Sequence, residues 1–335
     1  MRKRKMEILG TLGPACCETE TLRRMFQEGM TGIRLNLSHT RLVDSKEWIE
    51  NYHRAEELEG VHGELLIDME GPELRIGQLE EDLQLDEGSV WTLTEKREEE
   101  SDRNQILVPP QVLEKIEPDD RILLDDGKIA LRVKTPEHRS CWVKVERGGV
   151  LTGRKSIKIV GKQTKGPALT EKDREQLACA KEYGVTSVME PFVTSGAQLL
   201  EVRRTLSANG LCDVRIFSKI ENQQGIRQLG DIIPLSDMIV IARGDLGNDM
   251  PLWELPVTQQ KIADMCRERK APFLVVTQML ASMIENPVPT RAEVSDIYQA
   301  VRQGADAVMV TNETAVGRYP AEVIRYLAKT VEAAV

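Results

Sequence analysis

Two short motifs place a lysine and two carboxylates directly after apolar runs. Lys219 and Glu221 follow the run at residues 214–217, and Asp245 follows the run at residues 238–241. Such runs predict buried strands, and catalytic groups lie at the carboxyl ends of the strands in a (β/α)8 barrel. A glutamate and an aspartate from neighbouring strands can hold a magnesium ion, and a lysine can balance the charge of a phosphorylated or enolate ligand. These residues predict metal-assisted chemistry on a small anionic oxyacid.

The size and charge of the chain limit the classes of protein it can belong to. Its 335 residues are enough for one barrel and a small second domain. The net charge of −9 disfavours a nucleic-acid-binding protein. No apolar run is long enough for a membrane span, and no apolar signal core follows the basic first residues. The six cysteines lack zinc-ligand spacing, which predicts free thiols in a reducing cytoplasm.

Strand and helix signals alternate along most of the chain. The strand candidates are residues 6–10, 32–37, 64–68, 186–190, 214–219, 238–242, 273–277 and 307–311, with helical segments between them and a last one at 320–334. Eight such units favour an α/β fold of the (β/α)8 TIM-barrel type, and the pattern alone leaves an open, doubly wound sheet as the alternative.

The alternation stops between the third and fourth strand candidates. Residues 76–161 contain short β-type runs separated by turns, and residues 125–128 (Asp-Asp-Gly-Lys) are typical of a hairpin turn. We therefore predict a small all-β domain inserted after the third strand. Residues 1–75 would form the first part of the barrel, 76–161 a β-barrel lid, and 162–335 the second part of the barrel. The polar run at 95–104 is expected to be a solvated tip.

Other polar side chains follow further strand candidates. Arg34, Asn36 and Ser38 alternate along one strand and would share a face. At the carboxyl end of a barrel strand, these residues would supply an arginine for a phosphate and two oxygen ligands for a cation. On an outer face of the sheet, they would simply be the polar side of an amphipathic strand. Asp68 is the last residue of the third strand candidate, and it would be either a cation ligand or a solvated turn residue. Thr277 follows the seventh strand, at the level of the lysine and the aspartate.

Two further motifs also have a structural explanation. Thr290 with Glu293 predicts a capping box at the start of a helix. The stretch at residues 155–165 is basic and would be either a solvated loop or a phosphate contact; its lysines are Lys155, Lys158, Lys162 and Lys165.

Taken together, these motifs resemble the pyruvate kinase family. The similar segments occur in family order and cover essentially the whole chain; they are residues 11–15, 34–39, 68–75, 125–129, 218–222, 242–247, 277–283, 289–293 and 313–320. The resemblance implies a (β/α)8 barrel with a β-barrel lid after the third strand. It also implies conversion of phosphoenolpyruvate and ADP to pyruvate and ATP.

The resemblance implies roles for the residues around the oxyacid. Lys219 matches the lysine that stabilises the transferring phosphoryl group and the enolate. Arg34 matches the phosphate-binding arginine, and Thr277 the threonine beside the methylene carbon of the substrate. Glu221 and Asp245 match the ligands of a divalent cation, Mg²⁺ or Mn²⁺. Substrate contacts are expected at Gly244, Asp245 and Thr277.

The resemblance also implies a monovalent-cation site and a nucleotide site. The positions that match ligands of a monovalent cation, K⁺, are Asn36, Ser38 and Asp68. The positions that match residues close to the nucleotide are His39, Arg75 and Lys155.

Departures from the family pattern fall on the cation and nucleotide side. Met69 stands where the family has a threonine ligand, and Glu70 stands where it has a lysine. Val316 replaces a lysine that contacts the nucleotide, while Glu73, typical of potassium-dependent members, is retained. Residues 189–195 also differ from the family sequence. The family's C-terminal allosteric domain is expected to be absent, because the chain ends after the last barrel helix.

Three hypotheses follow. The first is a short pyruvate kinase: a cytoplasmic, glycolytic homo-oligomer, with a dimer favoured, that binds small molecules and neither nucleic acid nor membrane. The second is a magnesium-dependent enzyme of the phosphoenolpyruvate/pyruvate barrel group that acts on a related oxyacid with an acceptor other than ADP. The third is a non-enzymatic regulator, which the retained Lys219 and its neighbours disfavour.

Overall fold

The computed structural model describes residues 6–96, 104–125, 127–137, 139–162 and 167–335. Asp126 of the expected hairpin turn, Lys165 of the basic stretch and most of the polar run at 95–104 lie outside the described residues.

Short strands and helices alternate along the described chain. The strands are β1 (Glu7–Thr11), β2 (Gly32–Asn36), β3 (Glu64–Asp68), β4 (Leu83–Leu85), β5 (Val90–Thr94), β6 (Gln105–Leu107), β7 (Arg121–Leu124), β8 (Ile129–Pro136), β9 (Ser140–Arg147), β10 (Gly149–Leu151), β11 (Ile157–Ile159), β12 (Ser187–Glu190), β13 (Arg215–Ile220), β14 (Met238–Ala242), β15 (Phe273–Val276) and β16 (Ala307–Met309). The α-helices are α1 (Thr19–Gln27), α2 (Lys46–Glu59), α3 (Pro110–Leu113), α4 (Glu171–Cys179), α5 (Gly196–Ala208), α6 (Gln223–Arg227), α7 (Leu229–Ile232), α8 (Arg243–Asn248), α9 (Leu255–Glu268), α10 (Arg291–Arg302), α11 (Asn312–Ala315) and α12 (Pro320–Ala334).

Eight parallel strands close into a barrel. Their order around the barrel is β1, β2, β3, β12, β13, β14, β15 and β16, and β16 pairs with β1. This closure confirms the predicted TIM barrel and excludes the open, doubly wound sheet. The strands end within one or two residues of their predicted bounds, because short β-branched runs flanked by turn residues have little freedom to extend.

The interior of the barrel is filled by apolar side chains from alternating strand positions. Leu66, Met189, Phe217, Val240 and Leu274 belong to one buried cluster. Since successive side chains of a strand point to opposite faces, residues two positions beyond these point the same way. This alternation brings polar residues at the strand ends to the mouth of the barrel.

The chain divides into two compact units. Of the described residues, the first unit contains those within Met1–Gly71, Ala168–Leu246 and Trp253–Val335, and the second those within Pro72–Pro167 and Gly247–Leu252. The second unit is mostly β, with a six-stranded sheet in the order β11, β7, β8, β9, β5, β6 and a two-stranded sheet of β4 and β10. Strands β7 and β8, which flank the predicted hairpin turn, pair antiparallel. One helical turn, α3, begins at Pro110, where no helix is predicted.

Capping residues determine where several barrel helices begin. Thr170, Ser195 and Thr290 each start a helix with a capping box, and Thr290 does so as predicted. Helix α12 begins with Pro320, whose fixed φ suits a first helical position. Within the described part of the chain, every helix is too short or too polar to span a membrane.

Candidate active site

Four charged residues meet at the carboxyl ends of the barrel strands. Arg34 pairs in register with Leu66 of the interior cluster, and Asp68 follows Leu66 by two positions. Lys219 follows the interior Phe217 by two positions as well. The period of two therefore directs all three charged side chains into the barrel.

Asp68 joins the arginine to the lysine. Arg34 Nε and Nη2 lie 2.8 and 2.5 Å from Asp68 Oδ2. Lys219 Nζ lies 3.4 Å from Asp68 Oδ1. Asp68 is 2% exposed, so these charges interact away from bulk water, where charge-assisted hydrogen bonds are strong.

Glu221 completes the cluster and keeps one carboxylate oxygen without a hydrogen bond. Its Oε2 accepts a hydrogen bond of 2.8 Å from the backbone N–H of Phe192. Its Oε1 forms an ion pair with Lys219 Nζ at 2.9 Å, but the geometry is not that of a hydrogen bond. Glu221 is fully buried. A buried oxygen in this state is an exception among folded proteins, and its lone pairs are open to a cation.

Burial and charge act in opposite directions on the cluster. Burial would raise the pKa of Asp68, but the Lys219 ammonium and the Arg34 guanidinium hold it below its ordinary value. Burial would lower the pKa of Lys219, but Asp68 and Glu221 raise it above its ordinary value. Lys219 is therefore a cation, and Asp68 an anion, at neutral pH.

Asp245, Gly244 and Thr277 lie at the ends of the next two strands. Helix α8 begins at Arg243, directly after β14, and carries both Gly244 and Asp245. Asp245 is close enough to Lys219 to help raise its pKa. A methyl group on Gly244 would lie 3.1 Å from Thr277 Cγ2, so these two residues adjoin.

The expected monovalent-cation ligands surround the end of β2. Asn36 is in register with Asp68, and Asn36 Oδ1 accepts a hydrogen bond of 3.2 Å from the backbone N–H of Ser38. Met69 is 1% exposed, and its side chain carries a thioether and no oxygen. Hard cations prefer oxygen, so Met69 is a poor ligand for K⁺.

The expected nucleotide residues are distributed over both units. His39, in the first unit, is exposed and its backbone N–H donates to Asn36 O at 3.3 Å. In the second unit, Arg75 pairs with Glu73 at 2.5 Å and Lys155 pairs with Asp125 at 2.9 Å. The backbone N–H of residue 76 donates to the Lys155 carbonyl, which makes Arg75 and Lys155 neighbours.

The described lysines of the basic stretch, Lys155, Lys158 and Lys162, are partly buried and form ion pairs. Lys158 pairs with Asp249 at 3.4 Å, and Lys162 pairs with Asp120 at 2.8 Å. The simpler expectation of a solvated loop did not include these ion pairs, because the acidic partners are distant in sequence.

Two residues without a predicted role are notable. Arg243 donates to the carbonyl oxygens of Val276 and Thr277. In the sequence, only its position directly before Gly244 and Asp245 indicated that it could have a role at the site. Glu190, at the end of β12, is fully buried, and neither of its carboxyl oxygens has a hydrogen-bond partner. Burial raises the pKa of Glu190 well above its ordinary value. In the sequence, the departure of residues 189–195 from the family pattern was the feature that pointed to Glu190.

The closed parallel barrel and the buried charge cluster at its carboxyl ends define a (β/α)8-barrel enzyme. Residues 3–324 match the family model described as "Pyruvate kinase, barrel domain". The chain belongs to the pyruvate kinase family.

Individual relatives agree with this assignment. The chain is 39% identical to a pyruvate kinase of Aeropyrum pernix over 97% of its own length and 69% of the relative. It is 36% identical to a pyruvate kinase of Methylorubrum extorquens over 99% of its length and 69% of the relative. With a pyruvate kinase of Geobacillus stearothermophilus it shares 34% identity over 96% of its length and 56% of the relative.

Proposed function

We propose that this protein transfers the phosphoryl group of phosphoenolpyruvate to ADP and forms pyruvate and ATP. The observation that carries the proposal is the buried cluster in which Lys219 bridges Asp68 and Glu221. Phosphoryl transfer depends on positioning and charge neutralisation more than on covalent chemistry, and this cluster offers fixed charges in a water-poor site.

Each side chain of the cluster has a distinct task. The Lys219 ammonium neutralises negative charge that develops on the transferring phosphoryl group and on the enolate oxygen. Arg34 binds the phosphate, and Asp68 fixes the orientation of its guanidinium through two hydrogen bonds. Thr277, which adjoins Gly244, lies beside the methylene carbon that becomes the methyl group of pyruvate.

A divalent cation, Mg²⁺ or Mn²⁺, would be held by Glu221 and Asp245. The residues fit such an ion, because both supply carboxylate oxygen and Glu221 Oε1 is buried without a hydrogen bond. When bound, the cation supplies Lewis-acid neutralisation of phosphoryl and carboxylate oxygens.

A monovalent cation, K⁺, would be held by Asn36, Ser38 and Asp68, whose donors are oxygen atoms. Met69 removes a fourth oxygen donor from this set, and Asp68 already accepts from Arg34 and Lys219. We therefore infer that K⁺ binds weakly.

For the nucleotide we propose contacts at His39, Arg75 and Lys155, the positions that the family resemblance matches to residues close to the nucleotide. The charge of a diphosphate suits the two cations. We further propose a cytoplasmic location, which suits the six unpaired cysteines, and a homodimeric assembly.

A coupled assay with phosphoenolpyruvate and a panel of nucleoside diphosphates, each with Mg²⁺ or Mn²⁺, tests the proposal. We expect pyruvate formation that requires both a diphosphate and the metal. Tight binding of phosphoenolpyruvate without turnover by any diphosphate would contradict ADP as the acceptor.

Metal binding is tested separately from activity. Glu221→Gln and Asp245→Asn should each weaken Mn²⁺ binding, measured by electron paramagnetic resonance, while Glu57→Gln on the exposed side of α2 should not. Unchanged Mn²⁺ affinity in the first two variants would overturn the assigned ligands.

A further inference from the structure

The segment after β15 has an unusual backbone. Thr277 and Gln278 have φ angles of 82° and 54°, in the left-handed region. This region is unfavourable for a β-branched residue such as Thr277 and persists only where surrounding contacts hold it. The strain occurs at the residue proposed to lie beside the methylene carbon of the substrate.

Arg243 supplies the contacts that hold this segment. Its Nη2 donates to the Thr277 carbonyl oxygen at 2.6 Å, and its Nε lies 3.2 Å from the same oxygen. The Nε also lies 3.3 Å from the Val276 carbonyl oxygen. The rigid guanidinium can make these contacts together, whereas a lysine ammonium offers only a single point of charge.

Asp296 fixes the guanidinium from the other side. Arg243 Nη1 lies 2.8 and 2.6 Å from the two Asp296 carboxylate oxygens. Asp296 is on α10, whose first turn is held by the capping box of Thr290 and Glu293. Glu293 also accepts hydrogen bonds from the backbone N–H and the hydroxyl of Ser282. Helix α10 therefore anchors the segment after β15 at two places.

Arg243 also belongs to the element that carries the proposed metal ligand. It is the first residue of α8, and Gly244 and Asp245 follow it directly. A single side chain thus connects the start of α8 to the Thr277 carbonyl.

We propose that Arg243, held by Asp296, is a positioning residue that sets Thr277 against Gly244 and Asp245. This inference rests on the proposed function. The step it serves is protonation of the enolate. After the P–O bond to the enolate oxygen has broken, a proton from solvent forms a C–H bond at the methylene carbon, and the enolate becomes the ketone of pyruvate.

The first test compares Arg243→Gln, Arg243→Lys and Asp296→Asn with Arg203→Gln. Arg203 is a matched control, since it also bridges an aspartate, Asp237, and a backbone carbonyl, that of Val214, before β13. We expect Arg243→Gln to lower kcat by about 10- to 100-fold with a KM for phosphoenolpyruvate within about threefold, as slight misplacement of a reacting group does. Arg243→Lys and Asp296→Asn should lie between the wild type and Arg243→Gln, and Arg203→Gln should keep the wild-type kcat.

A double-mutant cycle with Thr277→Val separates positioning from general damage. If Arg243 acts through Thr277, the double variant should have nearly the same kcat as Thr277→Val alone. Exchange of deuterium from D₂O into the methyl group of pyruvate should fall in parallel. Additive losses in the cycle, or an equal loss in Arg203→Gln, would overturn the proposal.

A crystal structure of Arg243→Gln tests the positioning independently of turnover. We expect residues 277 and 278 to leave the left-handed region or Thr277 to move away from Gly244. An unchanged backbone there would overturn the inference, even if the wild type proved inactive with every diphosphate. Absence of wild-type turnover would instead contradict the proposed function.

Discussion

Lys219 combines a fixed positive charge with partial burial, since its side chain is 16% exposed. Asp68 and Glu221 keep it protonated despite the desolvation cost. A charge that is already oriented stabilises developing charge without reorganisation when the reaction occurs. At the residue scale, the chemistry therefore depends on an ion cluster whose members hold one another in place.

Lys219→Met is expected to act on turnover more than on binding. Removal of a charge that acts mainly in the transition state should lower kcat on the order of 10²- to 10³-fold, with a small change in KM. Steady-state kinetics should show no such loss for Lys172→Met, an exposed lysine that pairs with Glu70. A purely raised KM in Lys219→Met would contradict the assigned role.

Met69→Thr is expected to strengthen the response to potassium. At this position, which the family resemblance matches to a cation ligand, a threonine would offer a hydroxyl oxygen in place of the thioether, and a ligand worth about 1.4 kcal/mol would lower the half-activating K⁺ concentration about tenfold. The measurement is activity against KCl at constant ionic strength, with a tetraalkylammonium salt as the balancing control. The same K⁺ response in both proteins would exclude Met69 from the cation site.

At the scale of elements, the barrel strands deliver side chains and the capped helices hold the loops that follow the strands. Glu293 serves both tasks, because it caps α10 and accepts from Ser282 after β15. Burial would raise the pKa of Glu293, but these hydrogen bonds hold it below its ordinary value.

Thr290→Ala is expected to destabilise α10. Loss of the hydroxyl leaves the Glu293 backbone N–H without its cap, which costs about 1 kcal/mol of the free energy of unfolding. Urea unfolding should show this loss in Thr290→Ala and little change in Thr290→Ser, which keeps the hydroxyl. Equal stability of the alanine and serine variants would show that the cap contributes nothing.

At the scale of the whole molecule, the opposite end of the barrel is closed by a second charge cluster. Arg215 on β13 lies 2.7 Å from Glu64 on β3 and 3.2 Å from Glu7 on β1. These strands are far apart in sequence and meet only because the sheet closes. Residues at this end of a TIM barrel contribute to stability rather than to catalysis.

Glu64 should make the stability of the barrel depend on pH. Burial outweighs the attraction of Arg215 and raises the pKa of Glu64 from 4.5 to about 6. The folded protein therefore holds more protons than the unfolded chain between these values. The stabilisation is complete below pH 4.5 and is lost as the pH rises through about 6, with a total of about 2 kcal/mol.

Urea unfolding of Glu64→Gln and of the control Glu57→Gln at a series of pH values tests this effect. Between pH 4.5 and 7, the free energy of unfolding should fall less in Glu64→Gln than in the wild type, by about 2 kcal/mol. The control should follow the wild-type profile. Parallel profiles for all three proteins would show that Glu64 does not titrate in this way.

Much of the fold could be predicted from the sequence because the relevant signals are local. β-Branched runs, glycine turns and the Thr290 capping box act over a few residues, and eight repeats of one pattern favour a barrel. The residue types at the strand ends likewise indicated a lysine, an arginine and carboxylates on neighbouring strands, and hence the class of chemistry.

Only the tertiary structure decided how these groups interact. Asp68 contacts both Arg34 and Lys219, and Arg243 donates a hydrogen bond to the Thr277 carbonyl; these contacts join residues from different elements of the barrel. One oxygen of Glu221 is buried there without a hydrogen bond. Sequence determines the type of each side chain and its face on a strand, since these follow from local periodicity. Partners and protonation depend on distances and burial across the closed barrel, which exist only after the strands have met.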